Sequence, residues 1–230
     1  MTAAPIHSAP ADPQTAGTRS ELAGRLCRAM AAIHRRGWCD GTGGNFSCVL
    51  QRDPLQLLMA PSGVDKGSVR PRMLIVVDEQ GTVLDGVGRS SAETPLHLEI
   101  VQQTGAGAVL HTHSQAGTLL SRWILKKRSV QASGTLRLEG LEMLKGLEGI
   151  QSHAVEISIP VLANDQDLIR LSAAARPHLN KAPYGLLIAG HGLYAWGKDL
   201  VQAQRHLEIL EFLLEQHWRE LLLESLSAPA

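Results

Sequence analysis

A single α/β domain, with a mixed and mainly antiparallel sheet between helices, is the fold class this sequence predicts. Three observations carry that reading. Short apolar runs bounded by turn residues interleave with segments of helical period. Several connections between the runs are too short for the right-handed crossovers of a parallel sheet. A long amphipathic segment closes the chain, from Asp199 to about Glu224. At 230 residues the chain can bury one sizeable core and does not require two.

The elements follow in order. Met1–Thr18 holds four prolines or glycines among small residues, and reads as a disordered arm before a domain spanning 19–230. Ser20 can cap a helix whose apolar positions Leu22, Leu26, Met30 and Ile33 keep the helical period, with Gly37 as the stop. The turn Gly41-Thr42-Gly43-Gly44 leads into a strand at Asn45–Leu50, and Leu55–Met59 and Met73–Val77 read as buried strands. Ser91 suits the N-cap of a helix reaching about Gln103, with Pro95 tolerated in its first turn. Ala108–His111 is a further strand, and Ser114 can cap the helix after it. Val155–Val161 and Tyr184–Ile188 read as strands, and His191–Trp196 as the return arm of a turn built on Gly190 and Gly192. In the last helix, Leu200, Ala203, Leu207, Leu210, Leu214, Trp218 and Leu221 recur at spacings of three and four.

Composition removes several function classes. Lys+Arg and Asp+Glu both count 22, so no global charge attracts nucleic acid or an anionic membrane. Aromatic residues are only 3%, which leaves few platforms for stacking bases. No apolar run approaches the roughly 20 residues of a membrane helix. Cys27, Cys39 and Cys48 are odd in number and lack CxxC spacing, which argues for a reducing compartment, hence a cytoplasmic protein.

The histidines carry the chemistry. His111-Thr112-His113 directly follows an apolar strand, where residues i and i+2 point to one side, so two imidazoles can reach one ion. His191 sits between Gly190 and Gly192, where missing side chains allow close approach. Either motif alone is weak. Three histidines with an open fourth position would suit catalytic better than structural zinc, against the bland readings of a polar strand end and a histidine in a hairpin turn. Imidazole ligands alone leave iron or manganese open.

Five segments in order, Gly41-Thr42-Gly43-Gly44-Asn45-Phe46-Ser47, Ala60-Pro61-Ser62-Gly63, Ser91-Ala92-Glu93, His111-Thr112-His113 and Gly190-His191-Gly192-Leu193, resemble the class II aldolase superfamily. Within it, Val64-Asp65-Lys66, Thr94-Pro95-Leu96-His97, Glu142-Met143-Leu144-Lys145-Gly146 and Tyr194-Ala195-Trp196-Gly197 add a resemblance to the methylthioribulose-1-phosphate dehydratases of methionine salvage. The resemblance implies an α/β/α sandwich, one Zn2+ per subunit on His111, His113 and His191, and a cyclic homotetramer with active sites near subunit interfaces. It implies a sugar-phosphate substrate, a 2-ketose 1-phosphate with a methylthio end. It also implies an acid/base at Glu142, while Glu93 matches the position used by the aldolases; the expectation is that Glu142 is the principal acid/base and that Glu93 shapes the site or assists.

A phosphate needs backbone N–H donors and small hydroxyls that permit close approach. Gly43, Gly44 and Asn45, then Ser62 and Gly63, then Ser91 supply these, and Lys66 adds charge. Trp196, Met143 and Leu144 are the candidates for recognising a methylthio end. Aldolases carry Ser-Ser-Glu where this chain has Ser91-Ala92-Glu93, and the chain has no tyrosine between His113 and Tyr184. Both departures favour dehydration over carbon–carbon cleavage. An aldolase or epimerase for another ketose phosphate, or a non-catalytic binding protein on the same fold, remain the alternatives.

Overall fold

The computed structural model describes residues 13–127 and 133–227. Most of the expected arm therefore lies outside the described residues. The first helix, α1 (Pro13–Arg35), begins ahead of the expected cap at Ser20. Proline is accommodated at a helix start because the first N–H groups have no intrahelical partner in any case.

Nine strands among the described residues form one sheet: β1 (Asn45–Arg52), β2 (Leu55–Met59), β3 (Ile75–Val77), β4 (Val83–Asp85), β5 (Ala108–Thr112), β6 (Ser133–Glu139), β7 (Glu156–Leu162), β8 (Gly185–Ile188) and β9 (Gly192–Gly197). Their spatial order is β4-β3-β2-β1-β5-β9-β8-β7-β6. Every neighbouring pair is antiparallel except β7 with β8. The mixed, mainly antiparallel sheet is thus as the sequence predicts.

Helices cover both faces. On one side α1, α3 (Gln115–Lys127) and α5 (Leu200–Ser227) bury Leu26, Met30, Leu120, Leu207, Leu210 and Leu214 against Phe46, Leu110 and Leu187. On the other, α2 (Thr94–Thr104) and α4 (Leu168–Leu179) bury Leu96, Ile100, Leu171 and Ala175 against Val109, Leu186 and Tyr194. Strand alternation divides β5 between these layers: Ala108 and Leu110 face α5, and Val109 faces α2. That alternation fixes which way the residues at the end of β5 point.

Three local differences from the sequence expectation have simple causes. Residues Pro71–Met73 form a 3-10 turn, so β3 is shorter than expected. The helix expected from Ser91 starts at Thr94, with Pro95 in its first turn; Ser91 instead accepts a hydrogen bond from the Glu93 amide at 3.2 Å. Strands β4 and β6 and helix α4 have no counterpart among the expected elements. β6 presents only two buried apolar residues, Leu136 and Leu138, between polar ones, and α4 carries Pro177 inside it. Ser114 and Asp199 do cap as expected: Ser114 Oγ accepts from Gly117 N at 3.0 Å, and the Asp199 carboxylate from Gln202 N at 2.9 Å.

Candidate metal centre

β5 ends at Thr112; His111 projects from its α2 face, and His113, one residue beyond the strand, continues the alternation. His111 is fully buried, and its Nδ1 donates to the Leu193 carbonyl at 2.9 Å. That bond places the proton on Nδ1 and leaves the Nε2 lone pair free, the tautomer a metal ligand needs. His113 follows the strand end, where its amide donates to the Trp38 carbonyl at 2.7 Å. His191 sits in the β8–β9 turn, which α3 holds from behind. Thr118 Oγ1 donates to the His191 carbonyl at 3.2 Å, and Ser121 Oγ accepts from Gly190 N at 3.1 Å.

The three rings converge. His111 Nε2 lies 2.8 Å from His113 Nε2 and 3.3 Å from His191 Nε2. Ligands about 2.0–2.1 Å from an ion at tetrahedral angles stand about 3.3–3.4 Å apart; the His111–His191 spacing matches that, and His113 stands closer to His111. Burial, joined by mutual repulsion, lowers the pKa of His111 well below the ordinary value, and burial lowers that of His113 as well. Neutral imidazoles with converging lone pairs are what a divalent cation requires.

Glu93 completes the group. One carboxylate oxygen is 2.8 Å from His191 Nε2 and the other 3.6 Å from His111 Nε2. All four donor atoms lie within 4.8 Å of one another. Burial alone would raise the Glu93 pKa, but His111 in its charged form and the hydrogen bond from His191 outweigh it and hold the carboxyl well below its usual range. Asn45, first residue of β1, donates its side-chain amide to Glu93.

The Gly-rich loop packs directly on this group. A Cβ on Gly43 would stand 3.0 Å from His113 Nδ1, and one on Gly44 (φ +76°) 2.8 Å from the His111 carbonyl. Ser91 bonds to the Glu93 amide, and the Ser62 amide donates to the Arg89 carbonyl at 2.9 Å. Ser91 is thereby joined to Glu93 and the loop at Ser62 to the loop at Arg89, with Gly63 (φ +75°) at the turn beside Ser62.

Two expected residues have other surroundings. Lys66 is 1% exposed, and its ammonium donates to the Thr42 and Val64 carbonyls at 2.9 Å each. It ties the loop at 41–44 to the loop at 61–66 instead of standing open to an anion. Glu142 lies on a 3-10 turn, Glu142–Gly146, with its side chain 69% exposed and paired with Lys145 and His153. Leu144 of that turn is buried in the α5 layer, so the turn belongs to the face opposite the histidines. Glu93, not Glu142, is the carboxylate brought to the histidines within this chain. Of the residues considered for a methylthio end, Trp196 and Leu144 are buried, while Met143 lines a groove of about 670 Å³ with Trp38, Ser114 and Phe212.

Three residues around the centre escaped the sequence reading. Tyr194 stacks on His111, His97 hydrogen-bonds Ser47 at 2.8 Å one helical turn beyond Glu93, and Glu211 of α5 accepts from the Thr112 hydroxyl. Glu211 had a visible signal: it falls four residues after Leu207 and three before Leu214, inside the apolar stripe.

Residues 24–218 match the model of the class II aldolase and adducin N-terminal domain. The chain belongs to that family. The chain is 40% identical over 211 residues to a protein of Serratia proteamaculans named methylthioribulose-1-phosphate dehydratase, covering 90% of this chain and 99% of that one. It is 42% identical over 200 residues to a protein of the same name from Methylococcus capsulatus, covering 86% and 93%. In fold it is similar to the crystal structure of L-fuculose-1-phosphate aldolase from Thermus thermophilus, with a TM-score of 0.70 and 23% identity over 90% of this chain and 98% of that one. The α/β/α arrangement of this family member is therefore that of the class II aldolases. None of its described helices is long and apolar enough to cross a membrane.

Proposed function

We propose that the chain is a zinc-dependent hydro-lyase that dehydrates 5-methylthioribulose 1-phosphate to 2,3-diketo-5-methylthiopentyl 1-phosphate, a step of methionine salvage. The observation that carries the reading is the convergence of His111, His113 and His191 with the Glu93 carboxylate. The names of relatives matched over nearly the whole chain support the substrate. A single domain over 19–230, a cytoplasmic homotetramer and one zinc per subunit complete the proposal.

The reaction removes the proton on the carbon next to the ketone and expels the hydroxyl of the following carbon as water; the resulting enol becomes the second ketone. Zinc on the three histidines would supply Lewis-acid stabilisation of the negative charge that develops on the substrate oxygens. The Gly43–Asn45 loop, Ser62, Gly63 and Ser91 are proposed to hold the phosphate, with Lys66 fixing the loops that present it. Proton transfer needs a carboxylate in reach, an effect typically worth ~10²–10⁴ in rate. Proximity to the histidines favours Glu93. Glu142 is the second reading, favoured by its motif. Glu93→Gln and Glu142→Gln, compared for turnover, zinc content and exchange of the substrate proton in heavy water, separate the two: the acid/base variant keeps zinc and loses exchange.

The deciding experiment incubates zinc-loaded protein with methylthioribulose 1-phosphate and follows the products by NMR, with a chelator-treated control. Metal-dependent formation of the diketone phosphate supports the proposal. Cleavage to dihydroxyacetone phosphate and an aldehyde would make the protein an aldolase instead.

A further inference from the structure

We propose that Glu211 is a positioning residue for the metal centre, acting through the Thr112 hydroxyl from the face of the sheet opposite the histidines. The inference rests on the metal reading of His111, His113 and His191.

Glu211 is 2% exposed, on a helix whose neighbouring residues Ile209, Leu210, Leu213 and Leu214 are all buried apolar side chains. A carboxylate in such a layer is costly unless it is hydrogen-bonded, and an apolar residue of similar size would pack there without that cost. Among the described residues its polar contacts are confined to one place. One oxygen accepts from the Thr112 hydroxyl, the Ser114 hydroxyl also acts on the carboxylate, and the second oxygen has no hydrogen-bond partner there.

Thr112 and Ser114 alternate with the two histidines along the chain. The period of two sends His111 and His113 to the α2 face and Thr112 towards α5. A bond that fixes Thr112 from behind therefore fixes the backbone from which both rings project. The same residue also governs the third ligand. A Cβ on Gly192 would lie 1.9 Å from the Thr112 carbonyl, so the backbone of the turn carrying His191 rests directly against Thr112. β5 ends at Thr112, and what holds its last residue from the α5 side is the Glu211 carboxylate. Anchoring one residue thus sets the relative positions of all three nitrogens. Residues that orient metal ligands typically change affinity by about 10–100-fold when removed.

The test measures zinc affinity by competition with a chromophoric chelator, alongside the visible spectrum of the cobalt-substituted protein. Wild type and His111→Ala come first: tight binding lost in His111→Ala establishes the centre, and its absence overturns this inference together with the metal reading. Given that centre, Glu211→Leu and Thr112→Val are each expected to weaken zinc by about 10–100-fold and to alter the cobalt bands. The double variant is expected to lose little more than either single one, because both break the same bond. Glu211→Gln and Thr112→Ser keep the acceptor and the hydroxyl, and are expected to stay within about threefold of wild type. Leu207→Ala, a buried truncation on the same helix, should lower the melting temperature and leave affinity and spectrum unchanged. Should Glu211→Leu fail to fold, Thr112→Val decides alone. Unchanged zinc affinity and cobalt bands in Thr112→Val, or an equal loss in Leu207→Ala, would overturn the inference.

Discussion

Tyr194 lies flat against His111, with ring centroids 3.9 Å apart and planes inclined by 14°. The two are direct cross-strand partners of β5 and β9, so the stack follows from strand register. With Nδ1 bonded to the Leu193 carbonyl and one ring face covered, His111 has little freedom left. Tyr194→Phe keeps the ring and is expected to bind zinc as wild type does. Tyr194→Ala opens space beside the ligand, and should cost about 3–5 kcal/mol of stability and weaken zinc binding. Denaturant unfolding and chelator competition measure the two effects. An Ala variant with wild-type zinc affinity would show that the stack orients nothing.

The glycines flanking His191 should respond differently to the same substitution. A Cβ at Gly192 would meet the Thr112 carbonyl at 1.9 Å and His111 Cε1 at 3.3 Å. Gly192→Ala must therefore push β9 away from β5, at a cost of about 1–3 kcal/mol or more, and displace His111 and His191 together. At Gly190 the nearest atoms stand 3.9 Å away, and only the left-handed φ of +68° opposes a side chain. Gly190→Ala should cost about 1–2 kcal/mol and leave zinc binding near wild type. Equal losses of zinc in both variants would contradict this contrast.

What the sequence disclosed and what it hid divide along physical lines. The histidine pair was legible because a period of two after an apolar strand puts both rings on one side, and the resemblance joined His191 to them. The long helix was legible because its stripe spans many turns. Lys66 was not, because a lysine beside glycine loops looks the same whether it meets a phosphate or two backbone carbonyls. Glu142 and Glu93 both sit in motifs, and only the sheet between them separates their faces. Tyr194 and Glu211 depend on pairings between segments far apart in the chain, which a local pattern does not contain. Tyr194 stood in a quoted motif without a role, and Glu211 left its own trace as a charge inside an apolar stripe.

Lys66 offers a direct check on the two tasks proposed for it. Its buried ammonium satisfies two carbonyls, and burial lowers its pKa, which the nearby Glu93 and Asp65 carboxylates partly oppose. Lys66→Met would leave the Thr42 and Val64 carbonyls unpaired, at a cost of about 1–3 kcal/mol, and loosen the Gly-rich loop. The expected outcome is lower stability without substrate and a raised KM with it. A raised KM at unchanged stability would instead mean that Lys66 meets the phosphate directly.

The last prediction concerns pH and isolates Glu211. Burial pushes its carboxyl up to about 7; the Ser114 and Thr112 hydroxyls oppose that shift and the Glu215 charge adds to it. A raised carboxyl pKa means the folded state holds its proton over a range where the unfolded chain has released it. Between about pH 4.5 and 7 the folded state binds more protons, so stability from this group is full below that window and falls as pH rises through it. The shift corresponds to about 3 kcal/mol. Buried His97, with its pKa lowered to about 4, works the other way, losing stability as pH falls below the ordinary histidine range. Such opposing effects cancel when wild type is compared with Glu211→Gln, which keeps the acceptor for Thr112 and has no proton to lose. Unfolding free energies of metal-free protein from pH 4 to 8 should show wild type losing about 3 kcal/mol relative to Glu211→Gln, mostly between pH 5 and 7. A difference that stays flat across that window would mean Glu211 ionises in the fold as it does in the unfolded chain.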